Sequence, residues 1–275
     1  MKKLAVIGDP IDHSLGPSMW NGAFKALGLE RDFVYESLRV KSEDLGSFVK
    51  KIREGAYLGA NVTIPHKIDI VRYLDGLTEK AKSIGAVNTI YIDGGLKGEN
   101  TDGEGALRAL EEKIDIEGKK ILILGAGGSA RAVAFTLAPR VKEITILNRT
   151  RAKAEEIAKE IRKTKTRAGG LPVEVDDTDD ADVVINCTPI GMKGAQEGKS
   201  LVKRDLLRPD QLVMDVVYNP LETALLKEAK AIGAVTISGY EMLVYQAVEN
   251  FRRWTGREAP VDLMMGKVRG LLEHG

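Results

Sequence analysis

Cysteine is nearly absent: Cys187 stands alone in 275 residues, so no internal disulfide can brace the fold. Only three histidines accompany it, poor material for a structural zinc site, and no metal is expected. No charge of one sign dominates. The 41 Lys+Arg against 40 Asp+Glu leave +1, whereas a nucleic-acid or polyanion partner should show as a basic excess. No apolar stretch approaches the about eighteen residues of a membrane span. The opening run Leu4-Ala5-Val6-Ile7 is too short for a signal peptide. What is present is a hydrophobic fraction of 43%, enough for a core, and 29 glycines, which favour many tight turns. The reading is a soluble, cytoplasmic α/β protein with no nucleic-acid or membrane partner. At about 100–200 residues per domain, the length suits two domains or one large unit.

Short apolar runs rich in β-branched residues alternate with helical patterns. Residues 4–7 read as a strand, and residues 19–27 as a helix with Met19, Ala23, Phe24 and Leu27 on one face. A strand at 33–35 precedes a helix in which Leu45, Phe48, Val49 and Ile52 recur at helical spacing. Residues 60–64 predict a strand followed by a helix that Pro65 opens, and 89–92 with 96–99 a hairpin about Asp93-Gly94-Gly95. Beyond a helix over 102–113, Ile121-Leu122-Ile123-Leu124 is apolar at every position, as a parallel strand covered on both faces requires. Residues 144–147, 183–185, 212–214 and 235–237 repeat the theme with helices between, which predicts parallel strands with right-handed crossovers. The basic stretch 159–167 reads as a solvated helix end and loop. A domain boundary is expected near Thr101 and Asp102, where mixed strands give way to a doubly wound pattern.

Gly125-Ala126-Gly127-Gly128-Ser129-Ala130 follows the run 121–124 directly and opens a helical pattern. That is the G-x-G-x-x-A form of a dinucleotide-binding turn. Gly125 permits the tight turn, Gly127 lets backbone approach a pyrophosphate, and Ala130 lets helix pack on strand. The free N–H groups and positive end of the helix then favour phosphate. A glycine string alone can be merely a turn; the strand before and helix after strengthen it here. An NAD-selective site wants an acid about 20 residues on, for the ribose hydroxyls. This chain has Asn148-Arg149-Thr150 there, with Arg151 and Lys153 beyond. Arg149 can stack on adenine and pair with a 2′-phosphate. As ordinary surface charges these cations would be oddly placed, because cations disfavour a helix N-terminus. The pattern favours NADP over NAD, and the missing acid weighs against S-adenosylmethionine.

Ser14, Asn61, Thr63, Lys67, Asn88, Thr101, Asp102, Asn186 and Thr188 all fall just beyond apolar runs, where ligands of open α/β sheets bind. Amides, hydroxyls, one cation and one carboxylate suit a small polyhydroxylated acid, and the cation and carboxylate can share a proton. Singly each has a bland explanation, as a cap, a turn residue, a strand threonine or a surface lysine. Their recurrence at one sheet edge is what those explanations leave over. Cys187 reads as a buried structural cysteine, His66 as a surface residue at a helix start, and Tyr240, Met242, Tyr245 and Trp254 as packing of the closing helices.

These residues belong to motifs that run in order along the chain. They are Gly8-Asp9-Pro10 with His13-Ser14-Leu15, Asn61-Val62-Thr63-Ile64-Pro65 with Lys67, Gly85-Ala86-Val87-Asn88-Thr89, and Gly98-Glu99-Asn100-Thr101-Asp102-Gly103. The glycine turn, Asn148-Arg149-Thr150, Asn186-Cys187-Thr188-Pro189-Ile190-Gly191-Met192, residues 215–220 and residues 239–247 complete the series. Together they resemble the shikimate dehydrogenase family from end to end. The resemblance implies an N-terminal α/β substrate domain (1–101 and 240–275), a Rossmann-type doubly wound parallel-sheet domain for NADP(H) (102–239), and an active site in the cleft between. It implies reversible, NADPH-dependent reduction of 3-dehydroshikimate to shikimate, on the route to aromatic amino acids, by a monomer or homodimer. By matching position, Lys67 and Asp102 would be the acid–base pair. Ser14 would hold the substrate carboxylate, Thr63, Asn88 and Gln246 the ring hydroxyls, and Tyr218 would line the site. Gly239, Met242 and Val216 would lie by the nicotinamide, with Thr188 in the cofactor domain's strand-end motif.

Two positions depart from the family pattern. Gly16 stands where a second carboxylate-gripping serine is usual, and Trp20 where a histidine is usual. Losing a hydrogen bond to a charged group costs about 1.5–3 kcal/mol unless backbone, water or another side chain substitutes. Local drift with the same substrate is one reading and an altered acid such as quinate the other; Ser14, Lys67, Asn88, Asp102 and Gln246 favour drift. Two further alternatives are a dehydrogenase of relaxed substrate or cofactor choice and a silent NADP-binding module. A binding module has no need of the Lys67 and Asp102 pair, and Arg149 without an acid disfavours NAD.

Overall fold

Leu4, Ala5 and Ile7 are fully buried, and around them the first of two sheets forms. The computed structural model describes residues 1–12 and 14–274, so His13 of the first motif lies outside the described residues. The chain divides into one unit of residues 1–101 and 247–275 and another of residues 102–246.

The first unit runs β1 (Lys2–Gly8), α1 (Gly16–Ala26), β2 (Phe33–Arg39), α2 (Leu45–Arg53), β3 (Gly59–Val62), β4 (Gly76–Leu77), α3 (Glu79–Ile84), β5 (Thr89–Ile92) and β6 (Leu96–Glu99). Its sheet has the order β2-β1-β3-β5-β6-β4. β1 pairs parallel with β2 and β3, while β5 returns antiparallel and forms the expected hairpin with β6, Thr89 opposite Glu99 and Ile92 opposite Leu96. The helical spacing of Leu45, Phe48, Val49 and Ile52 is what buries α2 against Ile7, Val62 and Ile90. Pro65 does not open an α-helix. Turns lead from it into a 3-10 segment, Asp69–Tyr73, whose Ile70 alone is buried. Such segments stay short because side chains three apart eclipse and the hydrogen bonds are poorly aligned.

Trp20 is fully buried. Its ring stacks on Tyr35 at 4.9 Å, 6° from parallel, and on Phe251 at 5.3 Å, and tilts against Phe24 and Trp254. Trp254 is thus core, as expected of the closing helices.

The second unit runs α4 (Asp102–Glu111), β7 (Lys120–Leu124), α5 (Gly128–Leu137), β8 (Glu143–Leu147), α6 (Arg151–Glu160), β9 (Lys165–Gly169), α7 (Val175–Asp179), β10 (Val183–Asn186), β11 (Leu212–Asp215), α8 (Ala224–Ala231) and β12 (Val235–Ser238). Every pairing is parallel, in the order β12-β11-β10-β7-β8-β9. Read from β9, this is the 3-2-1-4-5-6 winding of a dinucleotide-binding sheet, whose order reverses between β7 and β10. One helix, α9 (Gly239–Thr255), carries the chain onward before α10 (Val261–His274) packs on α1. The division between units falls inside α9, between Gln246 and Ala247, rather than at its first residue.

The stretch 159–167 is not wholly helix end and loop, because β9 begins at Lys165. Its charges disguise an edge strand. Lys165 Nζ lies 3.1 Å from Glu143 Oε2 on the neighbouring strand, and Arg167 pairs with Glu143 and, at 2.7 Å, with Asp180. Charged side chains are a common guard on an exposed edge. Among the described residues no helix is long and apolar enough to cross a membrane.

Candidate active site

The register of the second sheet sets a row across its carboxyl edge: Leu147, Leu124, Asn186, Asp215 and Ser238 are successive partners. The glycine turn leaves from Leu124 at the switch point. Gly125 has φ +112°, open to glycine far more than to other residues, and a Cβ there would lie 3.1 Å from the Cys187 carbonyl oxygen and from Thr188 Cγ2. Gly127 differs. Its φ is −89° and a Cβ there would meet nothing among the described residues within 4 Å. Protein packing therefore does not require glycine at 127, and the space in front of it is open. Gly127 is the N-cap of α5, no side chain caps it, and the first turn holds no acid. Ala126, Gly128 and Ser129 flank this open end, and Ala130 is fully buried beneath it.

The cations after β8 separate into two kinds. Arg151 Nε reaches Glu155 at 2.9 Å across one helical turn. Arg149 and Lys153 are exposed, and among the described residues neither side chain has a charged partner. Asn148 Nδ2 donates to the Thr150 carbonyl at 2.9 Å and shapes the bend that presents Arg149. These residues fit NADP(H): an open helix end for the pyrophosphate and an uncommitted guanidinium at the strand end for a 2′-phosphate.

Farther along the same edge, Thr188 donates from both N–H and Oγ1 to Asn186 Oδ1, at 3.0 and 2.7 Å. Cys187 between them is half-buried rather than buried, because it lies in the turn and not in the strand. Gly239 is held by contact: a Cβ there would sit 2.3 Å from the Val216 carbonyl oxygen. Met242 is buried, and Tyr218 is half-buried with its phenol pushed up by burial. Gln246 Nε2 donates to the Leu243 carbonyl at 2.9 Å. Asp102 opens α4 and is buried.

In the first unit several backbone hydrogen bonds hold the segment around Lys67. Thr63 N–H donates to the Ile7 carbonyl at 2.9 Å, Asp9 N–H to Ile64 at 3.1 Å, and Val87 N–H to Lys67 at 2.7 Å. His66 is not a surface residue. It is fully buried, its Nε2 2.6 Å from the Val40 carbonyl oxygen. The adjacent side chain is thereby anchored on a stiff stretch of backbone. Lys67 itself is half-buried.

Asn88 stands at the amino end of β5, which in this antiparallel strand lies on the same edge as the carboxyl end of β3. Its Oδ1 accepts from Thr101 N–H at 2.9 Å and from Thr89 Oγ1 at 2.8 Å, and its Nδ2 donates to Thr101 Oγ1 at 3.0 Å. Asn61 is structural: its Oδ1 accepts from the Tyr35 hydroxyl at 2.7 Å, and its Nδ2 donates to the Asn88 carbonyl and Thr89 Oγ1, each at 3.2 Å.

Ser14 is half-buried, and its Oγ accepts from Gly16 N–H at 3.3 Å. A Cβ at Gly16 would lie 3.1 Å from Tyr35 Cε1 and 3.3 Å from Ser14 Oγ. Tyr35 cannot easily give way, being stacked on Trp20 and bonded to Asn61. The two departures at 16 and 20 therefore touch one aromatic stack. The sequence reading gave no role to Asp215, which joins this edge beside Asn186; an acid ending an otherwise apolar strand run was the available signal.

The comparisons agree along the whole chain. Residues 6–90 match the shikimate dehydrogenase substrate binding domain, residues 106–216 the shikimate/quinate 5-dehydrogenase family, and residues 239–269 the shikimate 5′-dehydrogenase C-terminal domain. A shikimate dehydrogenase (NADP(+)) of Methanocaldococcus jannaschii is 47% identical over 273 residues, covering 97% of this chain and 96% of the relative. A crystal structure of a shikimate dehydrogenase in complex with NADP+ superposes with a TM-score of 0.91 at 46% identity, covering 99% of this chain and 96% of that one. The shikimate 5-dehydrogenase of Listeria monocytogenes, crystallised with shikimate and NAD, gives 0.87 at 38% identity, covering 97% and 96%. With its winding, glycine turn and ordered motifs, this chain belongs to the shikimate dehydrogenase family.

Proposed function

We propose that the protein catalyses the reversible, NADP(H)-dependent reduction of 3-dehydroshikimate to shikimate. The observation that carries this reading is family membership along the whole chain, with Ser14, Lys67, Asn88, Asp102 and Gln246 standing in the motifs that resemble the family's. Residues 102–246 hold the cofactor, through Gly125 to Ala130, Asn148, Arg149, Thr150, Lys153 and Thr188, with Val216, Gly239 and Met242 toward the nicotinamide. Residues 1–101 and 247–275 supply most of the substrate contacts.

The dihydronicotinamide supplies a hydride to the ketone carbon when bound. The protein must deliver one proton to the carbonyl oxygen, and in the reverse direction accept it from the hydroxyl. Lys67 and Asp102 form the acid–base pair for that proton. The backbone bonds on either side of Lys67 reduce the freedom with which its ammonium must be placed, which is where positioning lowers a barrier. Ser14 takes the substrate carboxylate. Gly16, in place of a second hydroxyl, turns its N–H onto Ser14 Oγ and so orients that hydroxyl, while Thr63, Asn88 and Gln246 address the ring hydroxyls and Tyr218 lines the site.

Removing Lys67 is the test. Lys67→Ala should lower kcat for NADP+-linked oxidation of shikimate by about 10²–10⁴-fold, the usual worth of a general acid or base, with NADP+ affinity changed little. A variant with near wild-type kcat, or with equal losses in kcat and cofactor affinity, would overturn the assigned role.

A further inference from the structure

One buried carboxylate has no part in the chemistry above. Asp215 ends β11 fully buried. Its Oδ1 accepts from Asn186 Nδ2 at 2.9 Å and from Val217 N–H at 3.0 Å, and its Oδ2 accepts from Thr223 Oγ1 at 2.7 Å. Asn186 then passes the order along the edge. Its Nδ2 also reaches the Ile190 carbonyl at 3.1 Å, and its Oδ1 receives both donors of Thr188. Thr188 stands against the glycine turn, its Cγ2 3.1 Å from where a Cβ of Gly125 would be.

The donors and acceptors in this chain of contacts leave one arrangement. A backbone N–H can only donate, so Thr188 requires the oxygen of the Asn186 amide. The Asn186 NH2 group must then find acceptors on its other side, and Asp215 Oδ1 is one of them. Turned over, the amide would set NH2 against N–H and leave the carboxylate facing an oxygen. Burial pushes Asp215 up to about 6, so near neutral pH the fold carries the ionised form at a cost.

We infer that Asp215 is a positioning residue for the dinucleotide site, fixing the Asn186 amide so that Thr188 and its loop are held against the glycine turn. This rests on the reading that the turn binds NADP(H). Asp215 acts as an acceptor of defined direction, not as a charge.

Calorimetric titration of the purified full chain with NADP+ tests this. Asp215→Ala should weaken NADP+ binding about tenfold, through the loosened Thr188 loop. Asp215→Asn, which can keep an oxygen toward Asn186 and Val217, should restore affinity to within roughly threefold. The Asp215→Ala loss should shrink in a Thr188→Val background, which removes the hydroxyl donor to Asn186, and persist in full in an Arg149→Ala background, because only coupled residues are non-additive. Should Asp215→Ala fail to fold, Asn186→Ala is held to the same criteria. Unchanged affinity, or an equal loss in every background, would overturn the inference while leaving the NADP reading intact. Wild-type protein that does not bind NADP+ would overturn both.

Discussion

Arg149 and Arg151 are two positions apart and have different fates, which is where residue identity begins to decide cofactor choice. Arg151 is spent on Glu155, whereas Arg149 has no carboxylate partner among the described residues. Under the proposed function, an exposed guanidinium at the end of β8, with no acid beside it in the sequence to repel a phosphate, would discriminate between the two nicotinamide dinucleotides. Arg149→Ala should therefore raise the KM for NADPH by about 10–100-fold, as loss of one charge-assisted contact implies, and leave that for NADH nearly unchanged. An unaltered NADPH-to-NADH ratio in steady-state kinetics would place the 2′-phosphate elsewhere. Single residues were also where the sequence misled. His66 sits in a polar motif beside Lys67, so nothing in the pattern marked it as buried; only the carbonyl of Val40, far away in sequence, does that. Gly16 and Trp20 read as two separate departures, and their shared contact with Tyr35 needed the folded stack to be seen.

At the scale of elements, the turn between β7 and α5 divides its glycines by purpose. Gly125 is required by the fold, through a φ of +112° and the approach of the Cys187 carbonyl. Gly127 has an ordinary φ and open space in front of it. Gly125→Ala should then cost about 1–3 kcal/mol in urea unfolding. Gly127→Ala should leave stability within about 0.5 kcal/mol of wild type and still weaken NADP+ binding at least about tenfold. A destabilised Gly127→Ala, or one that binds NADP+ normally, would contradict this division. Long apolar strands were easily read from sequence because parallel strands covered on both faces leave no polar position to mislead. β9 was missed for the opposite reason. It is an edge strand whose Lys165 and Arg167 pair with Glu143, and that charge looks like a solvated loop until its neighbour is known. The short elements after Pro65 failed similarly, since a 3-10 segment with one buried residue has almost no periodicity to detect.

For the molecule as a whole, the alternation of strand and helix carried most of the fold, and the 3-2-1-4-5-6 order is what places the glycine turn and the Asn186 loop at one switch point. The polar row at the sheet edges was legible as a list of residues. Which of them address ligands and which address each other was not, because Asn61 and a site amide look alike until their partners are known. Asp215 shows the same limit, a titratable group whose meaning lies in its three donors. The measurement that bears most directly on the account is a comparison of kcat/KM for shikimate and quinate, each with NADP+ and with NAD+, followed through the absorbance of the reduced nicotinamide. The account predicts that shikimate with NADP+ exceeds every other pair by at least about tenfold, a difference near 1.4 kcal/mol in transition-state stabilisation. Preference for quinate or NAD+, or bound NADP+ with no turnover of either acid, would contradict it.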